Sequence, residues 1–186
     1  MVKWQQWSVD AFYHGCKNLG CKVIWSIKQT DLVKSFENDP NFWISPWVPQ
    51  AELLAHPALR AGLTHGGFGG TLEFISAGIP VICFPHFGDQ PFNTKKLAEK
   101  GVGIPLFDPR KAMGGFRECH PNPLFDSKKV EDSLNAIFTQ QSYKQNMVRL
   151  QLLASQHGGR KLAADTIELV AKTGGEQLVD FDFHRK

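Results

Sequence analysis

Apolar residues in the first twenty positions recur at helical spacing: Trp4, Trp7, Ala11, Cys16 and Leu19, with Gly20 as a natural stop. The period then changes. "CKVIWSI" (21–27) reads as a buried strand, and further short apolar runs at 42–44, 61–64, 81–84 and 102–106 read the same way. Helical patterns separate them. One runs over 31–37 and closes at Asp39-Pro40, and one opens at Pro49 and runs to Leu54. A third spans 71–77 before Gly78, and a fourth 91–100 before Gly101. Short strands alternating with helices predict right-handed βαβ units and a parallel sheet. Beyond a Gly- and Pro-rich loop (108–123) the strands cease. Asp126 or Ser127 can cap a helix to Phe138, and helices follow over 142–157 and 160–172. The pattern predicts a single α/β domain over 1–186 with a helical C-terminal region.

Composition narrows the functional classes. A hydrophobic fraction of 42% with 14 Phe and 5 Trp among 186 residues supports a real core. The net charge of +3 comes from 21 basic and 18 acidic residues without a basic stripe, which argues against nucleic acid. No apolar run reaches the length of a membrane span, and the N-terminus lacks a signal peptide's apolar stretch. As written, the chain reads as soluble and cytoplasmic. Cys16, Cys21, Cys83 and Cys119 show no CxxC pairing, so no zinc site is expected; Cys83 lies in an apolar run and reads as core.

Candidate chemistry gathers where strands end. Ligands of open parallel sheets bind beyond the carboxyl ends of the strands. Trp47 follows the second strand, "THGGFGGTLE" (64–73) follows the third, and "FPHFGDQPFN" (84–93) the fourth. The glycines let the backbone approach an anion at a helix N-terminus, with His65 as a further donor; they equally suit a tight turn that allows close packing. The dinucleotide fingerprint fails because Leu72 stands where its third glycine belongs, and no Gly-Lys-Ser/Thr marks a P-loop. Glu73, in the first turn of that helix, is a dipole partner or an acceptor for a ribose diol. Trp47, between two prolines, is a core indole or a stacking platform for a base. Asp89-Gln90 either closes a loop and caps the next helix or offers acceptors and donors to sugar hydroxyls. His56 reads as structural, and His86 stays open between the two roles.

Taken together, Trp47-Val48-Pro49-Gln50, Leu54, His56-Pro57, Thr64-His65-Gly66-Gly67, Glu73, Gly78-Ile79-Pro80, Pro85, Asp89-Gln90 and Asn93 resemble the signature of UDP-glycosyltransferases, spacing included. The resemblance extends more loosely from about Phe12 to Lys172. It implies the C-terminal, donor-binding half of a GT-B fold, with a Rossmann-like parallel sheet flanked by helices, and a UDP-sugar as ligand. By the same resemblance Trp47 stacks on uracil, the Val48 backbone reads the base edge, and Gln50 and Glu73 hold the ribose. His65 and the amides around Gly67, Gly69, Gly70 and Thr71 bind the diphosphate, while Asp89 and Gln90 hold the sugar. The implied reaction transfers a hexose to an acceptor hydroxyl without a cofactor or a metal.

The departures shape the expectation further. Gly69-Gly70 replaces the Asn followed by Ser or Gly of many members, so a side-chain phosphate contact is absent and weaker donor binding is expected. The 108–123 loop is longer than the family pattern. Family members begin this domain with a strand before the first helix, and an N-terminal acceptor domain carries the general-base histidine. Neither that strand nor that domain is in this chain, so no catalytic residue is assigned to it. The expectation is an incomplete enzyme, inactive alone, that works with an acceptor domain in the same full-length protein or in a separate subunit. The alternative is a non-catalytic nucleotide-sugar-binding module or degenerate paralogue; a nucleotide-sugar epimerase of GT-B build is a third reading.

Overall fold

The computed structural model describes residues 4–112 and 123–176. Two compact units are distinguished, 1–151 and 152–186. The first holds helix α1 (Gln6–Asn18), strands β1 (Val23–Ser26) and β2 (Phe42–Ser45), and helix α2 (Gln50–Leu54). It continues with β3 (Gly62–Thr64), α3 (Phe68–Ala77), β4 (Val81–Cys83), α4 (Gln90–Glu99) and β5 (Gly103–Pro105). Helix α5 (Ser127–Thr139) and most of α6 (Gln141–Ser155) complete it, and α7 (Gly159–Thr173) belongs to the second unit. Short 3-10 turns occupy Thr30–Phe36 and Pro109–Ala112. The rest of the long loop, 113–122, lies outside the described residues.

Among the described residues all strand pairings are parallel, but the strands form two sheets rather than one: β1-β2, and β3-β4-β5. One core serves both. Trp25 and Ile27 at β1, Phe42 at the start of β2, and Ile82 and Phe84 at β4 are all buried in one cluster with Val9 and Phe12 of α1 and Val130 and Leu134 of α5. The Trp4 ring shows how close the two sheets' contributions lie, at 6.2 Å from Trp25 and 5.5 Å from Phe84. A second core fills the other face of β3-β4-β5. It packs Val81, Cys83 and Val102 against Leu54, Phe74, Leu97 and Met147. Cys83 is buried as expected, and burial pushes its thiol up to about 12.

Helix α1 meets α5 at Gly15. A Cβ there would lie 2.6 Å from Val130 Cβ and 2.8 Å from the Ser127 carbonyl oxygen, so only glycine permits the crossing. Of the two candidate caps for α5, Asp126 takes the role: its carboxylate accepts from the Lys129 N–H at 2.8 Å.

One boundary differs in a way that matters for the site. Helix α3 begins at Phe68, three residues before the sequence pattern predicts, with Gly67 as its N-cap. Gly69 and Gly70 have helical backbones and belong to its first turn. Their low helix propensity hid this start, and the tertiary context overrides it.

Candidate functional site

Strand β2 ends on Ser45, whose hydroxyl donates to the Trp47 carbonyl at 2.6 Å and accepts from the Trp47 N–H at 3.4 Å. This small turn presents Trp47 outward. The indole is 70% exposed and has no ring partner among the described residues, so the core-indole reading is excluded. Val48, the next residue, is half-buried. Pro49 then caps α2, which places Gln50 at the first helical position.

Gln50 reaches across to α3. Its Nε2 donates to Glu73 Oε2 at 2.7 Å, a bond between residues 23 apart in sequence. Glu73 stands in the second turn of α3, not the first, because the helix starts at Phe68. The dipole role therefore loses its geometry, and the side chain is instead one half of an exposed polar pair.

The loop from β3 to α3 is held by its own hydroxyl and by α4. Thr64 Oγ1 accepts from the Gly66 N–H at 3.1 Å. Gly66 adopts φ +80°, a conformation suited to glycine, and a Cβ there would lie 2.7 Å from Thr94 Oγ1. By contrast nothing lies within 4 Å of a Cβ built on Gly69, and only Thr64 Oγ1, at 3.8 Å, near one on Gly70. The close-packing explanation thus fails at these two glycines. They open the helix N-terminus outward, where their N–H groups precede the first intrahelical bond. Thr71, one residue on, is buried, and its Oγ1 has no hydrogen-bond partner among the described residues.

Asp89 is the N-cap residue of its own helix α4, but its carboxylate makes no capping bond to that helix's backbone. Its Oδ2 accepts from the Phe68 N–H at 3.1 Å, so it caps the neighbouring α3. Asn93, one turn along α4, donates from Nδ2 to both Asp89 Oδ2 (2.7 Å) and the Gly66 carbonyl (2.9 Å). Asn93, which the signature includes without a role, and the Phe68 amide join the site here. The i, i+4 spacing of Asp89 and Asn93 was the available signal. Gln90 is buried, and its Oε1 accepts from the N–H groups of His86 and Phe87 at 2.9 and 3.2 Å. It closes the loop after β4, leaving its amide nitrogen as the end able to donate elsewhere.

His65 sits beside this network. Desolvation holds its imidazole below the ordinary 6.5, with the Asp89 carboxylate pulling in the opposite direction. The ring is thus mainly neutral at pH 7, able to donate one hydrogen bond. His86 is buried edge-on against Phe84, with ring centroids 4.4 Å apart, and His56 Nδ1 accepts from the Ala58 N–H in a local turn.

The arrangement is thus an exposed indole, a Gln–Glu pair, an outward-facing helix N-terminus and a carboxylate–amide network, all beyond the strand ends. Residues 8–163 match the family model described as UDP-glucoronosyl and UDP-glucosyl transferase. The chain belongs to this family. Human UDP-glucuronosyltransferase 1A9 is 38% identical over 108 residues, 58% of this chain and 18% of that protein. Among solved structures, Os79 from O. sativa, in complex with U2F and trichothecene, superposes with a TM-score of 0.73 at 24% identity. That match covers 92% of this chain and 39% of the other. Medicago truncatula UGT71G1, complexed with UDP-glucose, gives 0.68 at 21% identity, covering 83% and 33%. The fold is therefore that of GT-B glycosyltransferases, and the chain spans well under half the length of these relatives. No helix among the described residues is long and apolar enough to cross a membrane.

Proposed function

We propose that this chain is the donor-binding part of a UDP-sugar-dependent glycosyltransferase that transfers a hexose to an acceptor hydroxyl. The observation that carries the reading is the 2.7 Å Gln50–Glu73 bond. It joins two residues that the family signature assigns to one ribose, across two separate elements. Trp47 would stack on the uracil, with the Val48 backbone along the base edge. His65, Gly67 and the amides of Gly69 and Gly70 would take the diphosphate beside Thr71, whose own N–H is engaged by the Gly67 carbonyl, and the helix N-terminus would stabilise charge developing on the leaving group. Asp89 and Gln90 would hold the sugar. Structures of the same fold complexed with UDP-glucose or with UDP support this assignment.

Deprotonating the acceptor requires a positioned base, which this reading assigns to an acceptor domain in the same full-length protein or in a separate subunit. A further strand from outside residues 1–186 would pair at the free edges of β1 and β3; the division into two sheets that share one core supports that placement. The chain alone would then bind UDP weakly and transfer no sugar.

Calorimetric titration of UDP tests the donor site. Trp47→Ala should lose roughly 1–3 kcal/mol of binding, the worth of one base stacked on an aromatic ring. Equal affinities would remove Trp47 from the site. Asp89→Ala should weaken a UDP-sugar while sparing UDP, and a parallel loss for both would end the sugar assignment. Sugar transfer on co-expression with an acceptor domain distinguishes the enzyme from a non-catalytic binding module, which would bind the donor but never turn it over.

A further inference from the structure

Helix α1 ends in a doubly hydrogen-bonded turn. The Cys21 N–H donates to the Cys16 carbonyl at 3.1 Å, and the Gly20 N–H donates to the Lys17 carbonyl at 2.9 Å, with Gly20 at φ +64°. This is the Schellman arrangement, in which the third-last helical residue and the second residue past the cap are pressed side by side, usually as an apolar contact. Here both positions are cysteine. Each is half-buried against the same core, and neither is in a disulfide. The 3.1 Å bond joins the backbones of the two residues directly, and the Cys21 thiol lies near enough to act electrostatically on Cys16. A disulfide needs such neighbouring residues, with side chains that face one another.

From this geometry we propose that Cys16 and Cys21 form a thiol–disulfide site that closes on reaction with a low-molecular-weight disulfide such as oxidised glutathione. The Cys21 thiolate attacks one sulfur of oxidised glutathione and forms a mixed disulfide, releasing one glutathione thiolate. Cys16 then loses its proton and attacks Cys21 Sγ, which forms the Cys16–Cys21 bond and expels the second glutathione. Two protein thiols are oxidised, one glutathione disulfide is reduced to two thiols, and the two cysteine protons end on the released glutathione sulfurs. Burial raises both thiols, Cys16 to about 12 with the neighbouring Cys21 adding to it, whereas the Arg60 guanidinium favours the Cys21 thiolate. Cys21 is therefore the entry point and Cys16 the resolving thiol. The bridge would tie the last turn of α1 to the start of β1, at the strand end opposite the donor site.

The test uses the full 186-residue chain carrying Cys119→Ser, so that this cysteine takes no part. The folded protein is incubated with oxidised glutathione, quenched by alkylation and digested. Trypsin cuts after Lys17, between the two cysteines, so the bridge is read as a linked pair of peptides. We expect that pair in the Cys119→Ser chain, and a persistent glutathione adduct on Cys21 when Cys16→Ser is added. A lasting adduct on Cys21 with Cys16 present, or oxidation only after the chain is unfolded in urea, would overturn the proposal.

Discussion

Ile24 on β1 and Ile82 on β4 are the same residue type on parallel strands of one unit, yet Ile24 is 49% exposed and Ile82 1%. The difference lies in what each sheet has on its two faces. The β3-β4-β5 sheet is covered on both, by the core shared with α1 and α5 and by the core beneath α3, α4 and α6. Among the described residues the β1-β2 sheet is covered on one. Trp25 and Ile44 face the shared core, while Ile24 pairs in register with Trp43, which is 54% exposed. Strands that look alike in sequence therefore differ in how much stability each residue contributes. Parallel strands normally have both faces buried.

The sharpest way to break this comparison is to truncate both isoleucines. Ile82→Ala should cost about 2–5 kcal/mol, since it removes methyl groups from a packed interior. Ile24→Ala should stay within about 0.5 kcal/mol, as surface changes do. Urea unfolding of the two variants measures both. A cost at Ile24 approaching that at Ile82 would mean that the second face of β1-β2 is covered in solution.

Gly15→Ala probes the shared core from the helix side. The added methyl meets Val130 and the Ser127 carbonyl, and overpacking of this kind costs about 1–3 kcal/mol. A tolerated alanine, judged by an unchanged thermal midpoint, would show that α1 and α5 can separate and that the shared core is looser than the second.

The smallest expected effect concerns His65. Its folded value is depressed, so the fold favours the neutral ring. Any stability that this contributes is present above the ordinary 6.5 and is lost as pH falls through the depressed folded value. An NMR titration should place the His65 midpoint below 6.5, and Asp89→Asn should lower it further by removing the carboxylate that pulls it up. UDP should move the midpoint the other way, because a nearby diphosphate favours the imidazolium. A midpoint at or above 6.5 in the free protein would contradict the desolvated setting of the ring.

The amino-acid sequence by itself determined the element order, the parallel α/β architecture, the buried Cys83 and the grouping of candidate residues beyond the strand ends. These follow from local periodicity, from glycine and proline punctuation, and from a family signature whose spacing is carried along the chain. Only the tertiary structure decided three things. It started α3 at Phe68, because packing and capping by Asp89 outweigh the poor helix propensity of two glycines. It aimed the Asp89 carboxylate at the N–H of Phe68 on the neighbouring helix and made Gln90 a buried brace for the loop after β4, choices set by which unpaired N–H groups lay in reach. It also divided the strands into two sheets of unequal cover. Strand pairing and burial of the second face depend on neighbours distant in sequence, and no local pattern in Ile24 or Trp43 records whether such a neighbour is there.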